Sequence, residues 1–278
     1  MSVPSCSCCR CCRPRRARVR GRPPPDERAG RVFHFLLRGI WRLLLGIDFL
    51  FFTLFMWLLA WLPGLAGSRL YFLLFRRWCM SFVRALGVDL RLHQHYPDRL
   101  PERYILIANH PSAFEDIGIP ALFPVHSLAK AEVAQWWVVG RISRAAGTLY
   151  VHREDKDSRR RAVEDLVAEL ERGRSVALYP EGGCKGRRVH PFRYGAFEVS
   201  LRTGVPIVPV FLHYEMQETF EWKDQHLLVK IWQFLTAQNP RANYHVHAPI
   251  EPRGFADKAA YAEAVHRRYL EWQERYLD

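Results

Sequence analysis

The stretch Tyr104–Asp116, YILIANHPSAFED, sets a strand-like run directly against a histidine, with two adjacent carboxylates five and six positions further on. A short apolar run bounded by polar and turn residues reads as a buried strand, Tyr104–Ala108. Pro111 and Ser112 interrupt it, and Phe114–Leu122 reads as a helix. A histidine at a strand end is a candidate general base, because its ordinary pKa lies near neutrality. A carboxylate beside it could accept the second ring proton, fix one tautomer and stabilise the imidazolium.

Outward from this stretch, short apolar runs alternate with helical patterns. Ser127–Lys130, Thr148–His152, Ser175–Tyr179, Pro206–Leu212 and Tyr244–Ile250 read as strands. Glu132–Ala146, Ser158–Arg172, Gly195–Arg202 and Asp257–Tyr276 read as helices; in Ser158–Arg172, Ala162, Val163, Leu166, Val167 and Leu170 form one apolar face. The alternation predicts an α/β fold, a largely parallel sheet flanked by helices. Sites in such sheets form where strands end, and His110, Arg153 and Glu181 all follow predicted strand ends.

The N-terminal part differs in character. Of the net charge of +13, residues 1–42 carry +9, from eleven Arg against Asp26 and Glu27. The basic character therefore belongs to the N-terminus, and a nucleic-acid-binding face across the fold is not expected. Five of the seven cysteines crowd into Cys6–Cys12 without a nearby histidine, so neither a disulfide framework nor a zinc site is expected there. Residues 1–32 read as a disordered Arg/Pro/Cys-rich tail. The isolated Cys79 and Cys184 suit a reducing compartment. Residues 43–62, LLLGIDFLFFTLFMWLLAWL, match a bilayer's hydrocarbon thickness with one charge, Asp48. Pro63-Gly64 breaks the run, and Leu70–Leu86 resumes it with Arg76, Arg77 and Arg84 interrupting, as an interfacial helix would. A charge at a bilayer centre costs about 2.5–3.5 kcal/mol, which favours a shallow hairpin at 33–88 with tail and domain both cytoplasmic. Residues 89–278 read as the catalytic domain.

Four ordered stretches carry a resemblance. Asn109-His-Pro-Ser-Ala-Phe-Glu115 resembles the first motif, NHxxxx(D), of the glycerolipid acyltransferases, which include lysophosphatidate and glycerol-3-phosphate acyltransferases. Gly147-Thr-Leu-Tyr-Val-His-Arg153, Tyr179-Pro-Glu-Gly-Gly-Cys-Lys185 and Val205-Pro-Ile-Val-Pro209 are similar to the second, third and fourth. The resemblance spans residues 103–212 and implies direct acyl transfer from acyl-CoA or acyl carrier protein to a membrane lipid's hydroxyl. His110 would be the base; no metal and no cofactor beyond the acyl donor would be needed. It further implies that Arg153 clamps an acceptor phosphate through paired donors, that Glu181 and Gly182 shape the acceptor site, and that Asn109 and Ser112 line it. Lys185, Arg187, Arg188 and Arg193 would add positive charge for phosphate groups. The first turn after Pro111 could also favour an anion.

Two positions depart from the family pattern. The family's aspartate is Glu115 here, with Asp116 next to it, so either carboxylate could orient the ring. Gly183 and Cys184 stand where threonine and arginine are usual, and Lys185 could replace the missing cation only as a point charge. The resulting expectation is an O-acyltransferase acting on a lysophospholipid, most simply 1-acylglycerol-3-phosphate. An amino-acid-based lysolipid, or a silent lipid-binding scaffold on the same fold, is the alternative. Ser112 lacks a G-x-S-x-G elbow, Cys184 beside cations could be a thiol nucleophile but reads first as filler, and His245 and His247 read as surface histidines. Trp136 and Trp137 read as core or interface anchors.

Overall fold

A computed structural model describes residues 25–221, 227–237 and 239–278; of the expected disordered tail, 1–32, the part up to residue 24 lies outside the described residues, and residues 25–32 are helical, the start of α1. The first described helix is α1 (Pro25–Leu59), followed by α2 (Arg69–Leu86), β1 (Asp89–Gln94), β2 (Ile105–Ala108), α3 (Glu115–Leu122) and β3 (Val125–Lys130). Then come a 3₁₀ turn (Ala131–Gln135), α4 (Val139–Ala145), β4 (Leu149–Val151), α5 (Lys156–Glu171), β5 (Ser175–Leu178), α6 (Gly195–Thr203) and β6 (Ile207–Tyr214). The chain closes with α7 (Gln217–Phe220), α8 (Leu227–Thr236), β7 (Arg241–Val246) and α9 (Lys258–Leu277). Among the described residues, those up to Trp41 belong to one unit and Arg42–Asp278 to another.

In the larger unit seven strands form one sheet in the order β1-β7-β6-β2-β5-β3-β4. The order doubles back on either side of β2, which lies between β5 and β6. Every pairing is parallel except β6 with β7, which is antiparallel. That pairing, and the edge strand β1, were not legible beforehand: β1 is DLRLHQ, mostly exposed, without the apolar run that marks a buried strand. The helix expected over Glu132–Ala146 is broken. Trp136 is extended, and α4 restarts so close to the preceding turn that a Cβ on Gly140 would lie 2.3 Å from the Ala134 carbonyl oxygen.

The sheet divides two cores by side-chain alternation. Leu106 and Ala108 of β2 face a layer built on α2 and α3, with Trp78, Val83, Ile119 and Tyr244. Ile105 and Ile107 face α5, α6 and α9, with Leu166, Phe197, Tyr261 and Tyr269. Within Arg42–Asp278 the last turns of α1 join the first core. The Trp78 indole donates to Thr53 Oγ1 at 2.9 Å and the Tyr71 hydroxyl to the Met56 carbonyl at 2.9 Å. Ser68 caps α2 by accepting from the Tyr71 amide, and Gly87, at φ 70, ends it. The Gly39–Leu59 part of α1 is 21 residues with mean hydropathy 1.9, long and apolar enough to cross a membrane. Leu43, Leu44, Leu50, Phe51, Leu54 and Leu58 on it are exposed. Trp136 and Trp137 are exposed too, at 59% and 76%, and Trp137 packs edge-on against Trp57 at 5.3 Å. They are anchors on this apolar surface, not core residues.

One contact opens the sheet just before the histidine. The buried Tyr269 hydroxyl on α9 stands between β2 and β6, accepting from the Val210 amide at 3.1 Å and donating to the Ile107 carbonyl at 2.9 Å. Tyr269→Phe strands a buried amide and a buried carbonyl together. It should lower unfolding stability by about 1–3 kcal/mol, read from urea melts of the full chain in detergent; an unmoved midpoint would show that the hydroxyl carries nothing.

Candidate active site

The site is built at the end of β2. Asn109 continues the strand with its side chain: Nδ2 donates to the Leu212 carbonyl at 2.9 Å, and the Leu212 amide donates to Oδ1 at 2.7 Å. This clamp ties β2 to β6 and sets the direction of the next residue, His110. The His110 ring is 1% exposed and stacks on Tyr179, with centroids 4.0 Å apart and planes 10° from parallel.

Glu115, fully buried in the first turn of α3, is the carboxylate that meets the ring. Its Oε2 accepts from His110 Nδ1 at 3.2 Å, while Oε1 accepts from the Ser112 amide at 2.9 Å and the Tyr214 hydroxyl at 2.5 Å. Three donors thus offset the desolvation of one carboxylate. Ser112 Oγ accepts from the Phe114 amide at 2.9 Å, so the first-turn amides expected to attract an anion include two held by the protein's own side chains. Asp116 makes no hydrogen bond to the ring and acts on it through its charge. Of the two carboxylates left open by the sequence, Glu115 is in contact and Asp116 is not.

Burial alone disfavours the imidazolium of His110. The hydrogen bonds to Cys184 and Glu115, with the charges of Glu115 and Asp116, outweigh that and hold the ring's pKa well above its ordinary 6.5. Burial likewise raises Glu115, against the bonds from His110 and Tyr214. Glu181 braces the site from β5's end: its carboxylate accepts from the His110 amide at 3.0 Å and the His190 amide at 3.3 Å. Burial pushes it up to about 7 despite those donors and the nearby His110 and Lys185 charges.

Beside Tyr179, Pro180 and Gly182 lies a cleft of about 1160 Å³ between α5 and α6, floored by Val151, Leu166, Leu178 and Phe192. Arg153, Lys156, Arg159, Arg160 and Arg193 line it. Gly182 has φ +75, a conformation that favours glycine, and a Cβ there would lie 2.5 Å from Arg193 Nε, so a side chain would displace that guanidinium. The expected basic cluster is therefore split. Arg153 and Arg193 line the cleft, whereas Arg187 donates to the Leu277 carbonyl and Arg188 pairs with Asp278 at the C-terminal end. Lys185 is exposed; its amide donates to the His110 carbonyl at 3.3 Å.

Tyr179 and Tyr214 carry no role in the sequence reading, whereas Cys184, weighed there as nucleophile or filler, has its Sγ 3.3 Å from His110 Nε2. Tyr179 had a signal, as the first residue of the third motif stretch; Tyr214 is 99 residues from its partner and had none. His245 and His247, taken as surface residues, are buried. They stack with His93, His95 and His213, and burial pulls them down to about 3 and about 4. Among the described residues no three His, Cys, Asp or Glu side chains converge as metal ligands.

Comparison with known proteins bears on this geometry. Residues 91–213 match the family model described as Acyltransferase. A lyso-ornithine lipid O-acyltransferase of Pseudomonas aeruginosa is 30% identical over 212 residues, 74% of this chain and 80% of that protein. A 1-acyl-sn-glycerol-3-phosphate acyltransferase of Neisseria gonorrhoeae is 27% identical over 48% of this chain, which spans 52% of it. The human lysophospholipid acyltransferase LPCAT4 is 28% identical over 73% of this chain, which spans 38% of it. The crystal structure of the 1-acyl-sn-glycerophosphate (LPA) acyltransferase PlsC from Thermotoga maritima superposes with TM-score 0.62 at 19% identity, covering 86% of this chain and 97% of that one. That likeness establishes the shared fold.

If the ring works as a base in its neutral form, activity rises as pH passes the raised His110 value. Glu115→Gln removes the charge that raises it. The rising limb of kcat/KM against pH should then move down by roughly one unit or more, with kcat reduced on the order of 10²–10⁴-fold. A limb that stays in place would detach Glu115 from the base.

Proposed function

This chain belongs to the acyltransferase family, and on that footing we propose that it moves an acyl chain from a thioester carrier to the free hydroxyl of a lysophospholipid. The most direct form is 1-acylglycerol-3-phosphate giving phosphatidate, with acyl-CoA or acyl carrier protein as donor. The observation that carries the reading is the buried His110 held through Nδ1 by Glu115. That contact leaves Nε2 to receive a hydroxyl proton as the oxygen attacks the thioester carbonyl. Collapse of the tetrahedral adduct expels the thiolate, which takes the proton back from the imidazolium. General-base help of this kind is worth about 10²–10⁴-fold, and holding both substrates together adds more.

The cleft supplies what an anionic lipid or carrier needs. Arg153 and Arg193 stand at the Gly182 end of an apolar-floored groove, where guanidinium groups can pair with phosphate oxygens. Asn109 and Glu181 hold backbone groups around the base through their side chains, and the Ser112 amide donates to Glu115.

A second acceptor, an amino-acid-based lysolipid, is favoured by one specific observation. The Pseudomonas relative named for lyso-ornithine lipid is matched over 80% of its length. The absence of arginine at position 184 fits an acceptor that asks less of that position. The exposed apolar surface of α1 suits residence at the bilayer, where such acceptors are found; a shallow hairpin there would keep the domain on the cytoplasmic face.

A thiol-release assay on sealed vesicles with the cytoplasmic face outward tests acceptor and orientation together. Added palmitoyl-CoA should yield free thiol with lysophosphatidate or lyso-ornithine lipid, and not with His110→Ala. No release with any lysolipid would favour a silent lipid-binding protein, and release only after permeabilisation would place the domain on the other face.

A further inference from the structure

Five histidines share one face at the side of the sheet that ends in β1. Alternation along β1, β7 and β6 puts His93 and His95, His245 and His247, and His213 under the end of α9. Neighbouring rings lie within 18° of parallel, with centroids 4.6–5.2 Å apart. From α9, Trp272 stacks on His247 at 3.7 Å and Tyr276 on His245 at 3.9 Å. His95 Nε2 and His245 Nδ1 are 2.9 Å apart, a contact that needs one unprotonated nitrogen. Nδ1 of His213 and Nε2 of His245 and His247 are buried without a partner. Arg275 and Arg187 face the stack and oppose further positive charge. Glu215, just past β6, has the opposite sign but is held by Arg241 at 2.6 Å. Rings placed in this way pack well only while they are neutral.

The same end of α9 holds the loop that leads out of the site. Gln273 Oε1 accepts from the Val189 amide at 2.7 Å, the Leu277 carbonyl from Arg187 at 3.2 Å, and Asp278 pairs with Arg188 at 2.8 Å. One residue further on, the His190 amide donates to Glu181, whose other oxygen accepts from the His110 amide. Helix end, loop, Glu181 and base are thus one run of contacts. We propose that the histidine stack is a proton-operated latch: on acidification it lifts the end of α9, which releases loop 187–190, unseats Glu181 and turns acyl transfer off. The inference rests on the acyl-transfer reading for its effect on rate, and on the packing of α9 alone for the movement.

The two-state element is the end of α9, seated on neutral rings or lifted by charged ones. Burial first, and then the charge of neighbouring rings, holds His245 at about 3 and His247 at about 4. Burial lowers His95 and His213 in the same sense. The seated form therefore binds fewer protons than the lifted one, where a histidine titrates at about 6.5. Seating is fully favoured above that value and weakens as pH falls from it toward 4 and 3. Between pH 7.5 and 5.0, His245 and His247 each move the balance toward the lifted form by about 30-fold, and together on the order of 10²–10³-fold.

Hydrogen–deuterium exchange of the full chain in lipid nanodiscs, at pH 7.5 and 5.0 with intrinsic rates corrected for pH, tests the movement without any substrate. Protection of residues 185–190 and 268–277 should fall on the order of 10²–10³-fold at pH 5.0 and return at pH 7.5, while β2 and β5 keep theirs. The double variant His245→Asn with His247→Phe cannot take up these two protons and keeps a ring on Trp272. In it the fall should shrink to below about tenfold. With a lysolipid and palmitoyl-CoA, the wild type should lose thiol release between the two pH values about tenfold more steeply than the variant, beyond the loss that His110 imposes on both. Unchanged protection in the wild type, or melting of the whole sheet together with α9, overturns the latch. Equal loss of rate in the two proteins overturns its link to the site. Absence of thiol release at either pH would count against the acyl-transfer reading alone and leave the exchange result standing.

Discussion

A carboxylate with no exposure to water is the constraint from which this structure is organised. An isolated buried charge costs several kcal/mol even after relaxation, so Glu115 has to be surrounded by donors. It draws them from three places in the chain: the His110 ring at the end of β2, the Ser112 amide in the turn, and the Tyr214 hydroxyl at the end of β6. Satisfying that one group fixes the orientation of the imidazole, the angle of the turn into α3 and the spacing of two strand ends. A charge with a structural obligation on both sides is also a good orienting group, because it cannot turn away from the ring without stranding itself.

The sheet supplies the rest of the rigidity. Asn109 pins β2 to β6 beyond the ladder, the Tyr269 hydroxyl bridges the Ile107 carbonyl and the Val210 amide of the same two strands, and Glu181 ties the β5 end to the His110 backbone. Backbone amides and carbonyls at strand ends have no ladder partners, and here side chains take their place. The result is a base fixed from three directions while its Nε2 edge faces the exposed thiol of Cys184 beside the basic cleft. The exposed face of α1 belongs to the same logic: apolar area that the protein leaves uncovered suits a lipid surface near the site.

Legibility followed the range of the interactions. Tyr104–Ala108 and Ser175–Tyr179 were read as strands because buried parallel strands are continuously apolar, and Ser158–Arg172 closely anticipated α5 because its apolar face repeats every three to four residues. His110, Glu115 and Glu181 stood out because short spacings place them at strand ends. What escaped depends on pairings far apart in sequence. Tyr214 reaches Glu115, Arg188 reaches Asp278, and β7 runs antiparallel beside β6, none of which leaves a local pattern. Cys184 stands in the sequence as a possible nucleophile beside cations or as filler, and only the fold, across 74 residues, brings its Sγ 3.3 Å from His110 Nε2. The five-histidine stack was missed because its members come from segments far apart in sequence: His93 and His95, His213, and His245 and His247.

The most direct measurement is the tautomer and titration of the His110 ring, by ¹⁵N NMR of the full chain labelled at histidine. A ring anchored by Glu115 should show a protonated Nδ1, an Nε2 shift that reports the free lone pair at high pH, and a midpoint above that of an ordinary histidine. Replacing Glu115 with Gln should lower that midpoint. An Nε2-protonated tautomer, with a midpoint unmoved by the substitution, would contradict the anchoring on which the site is built.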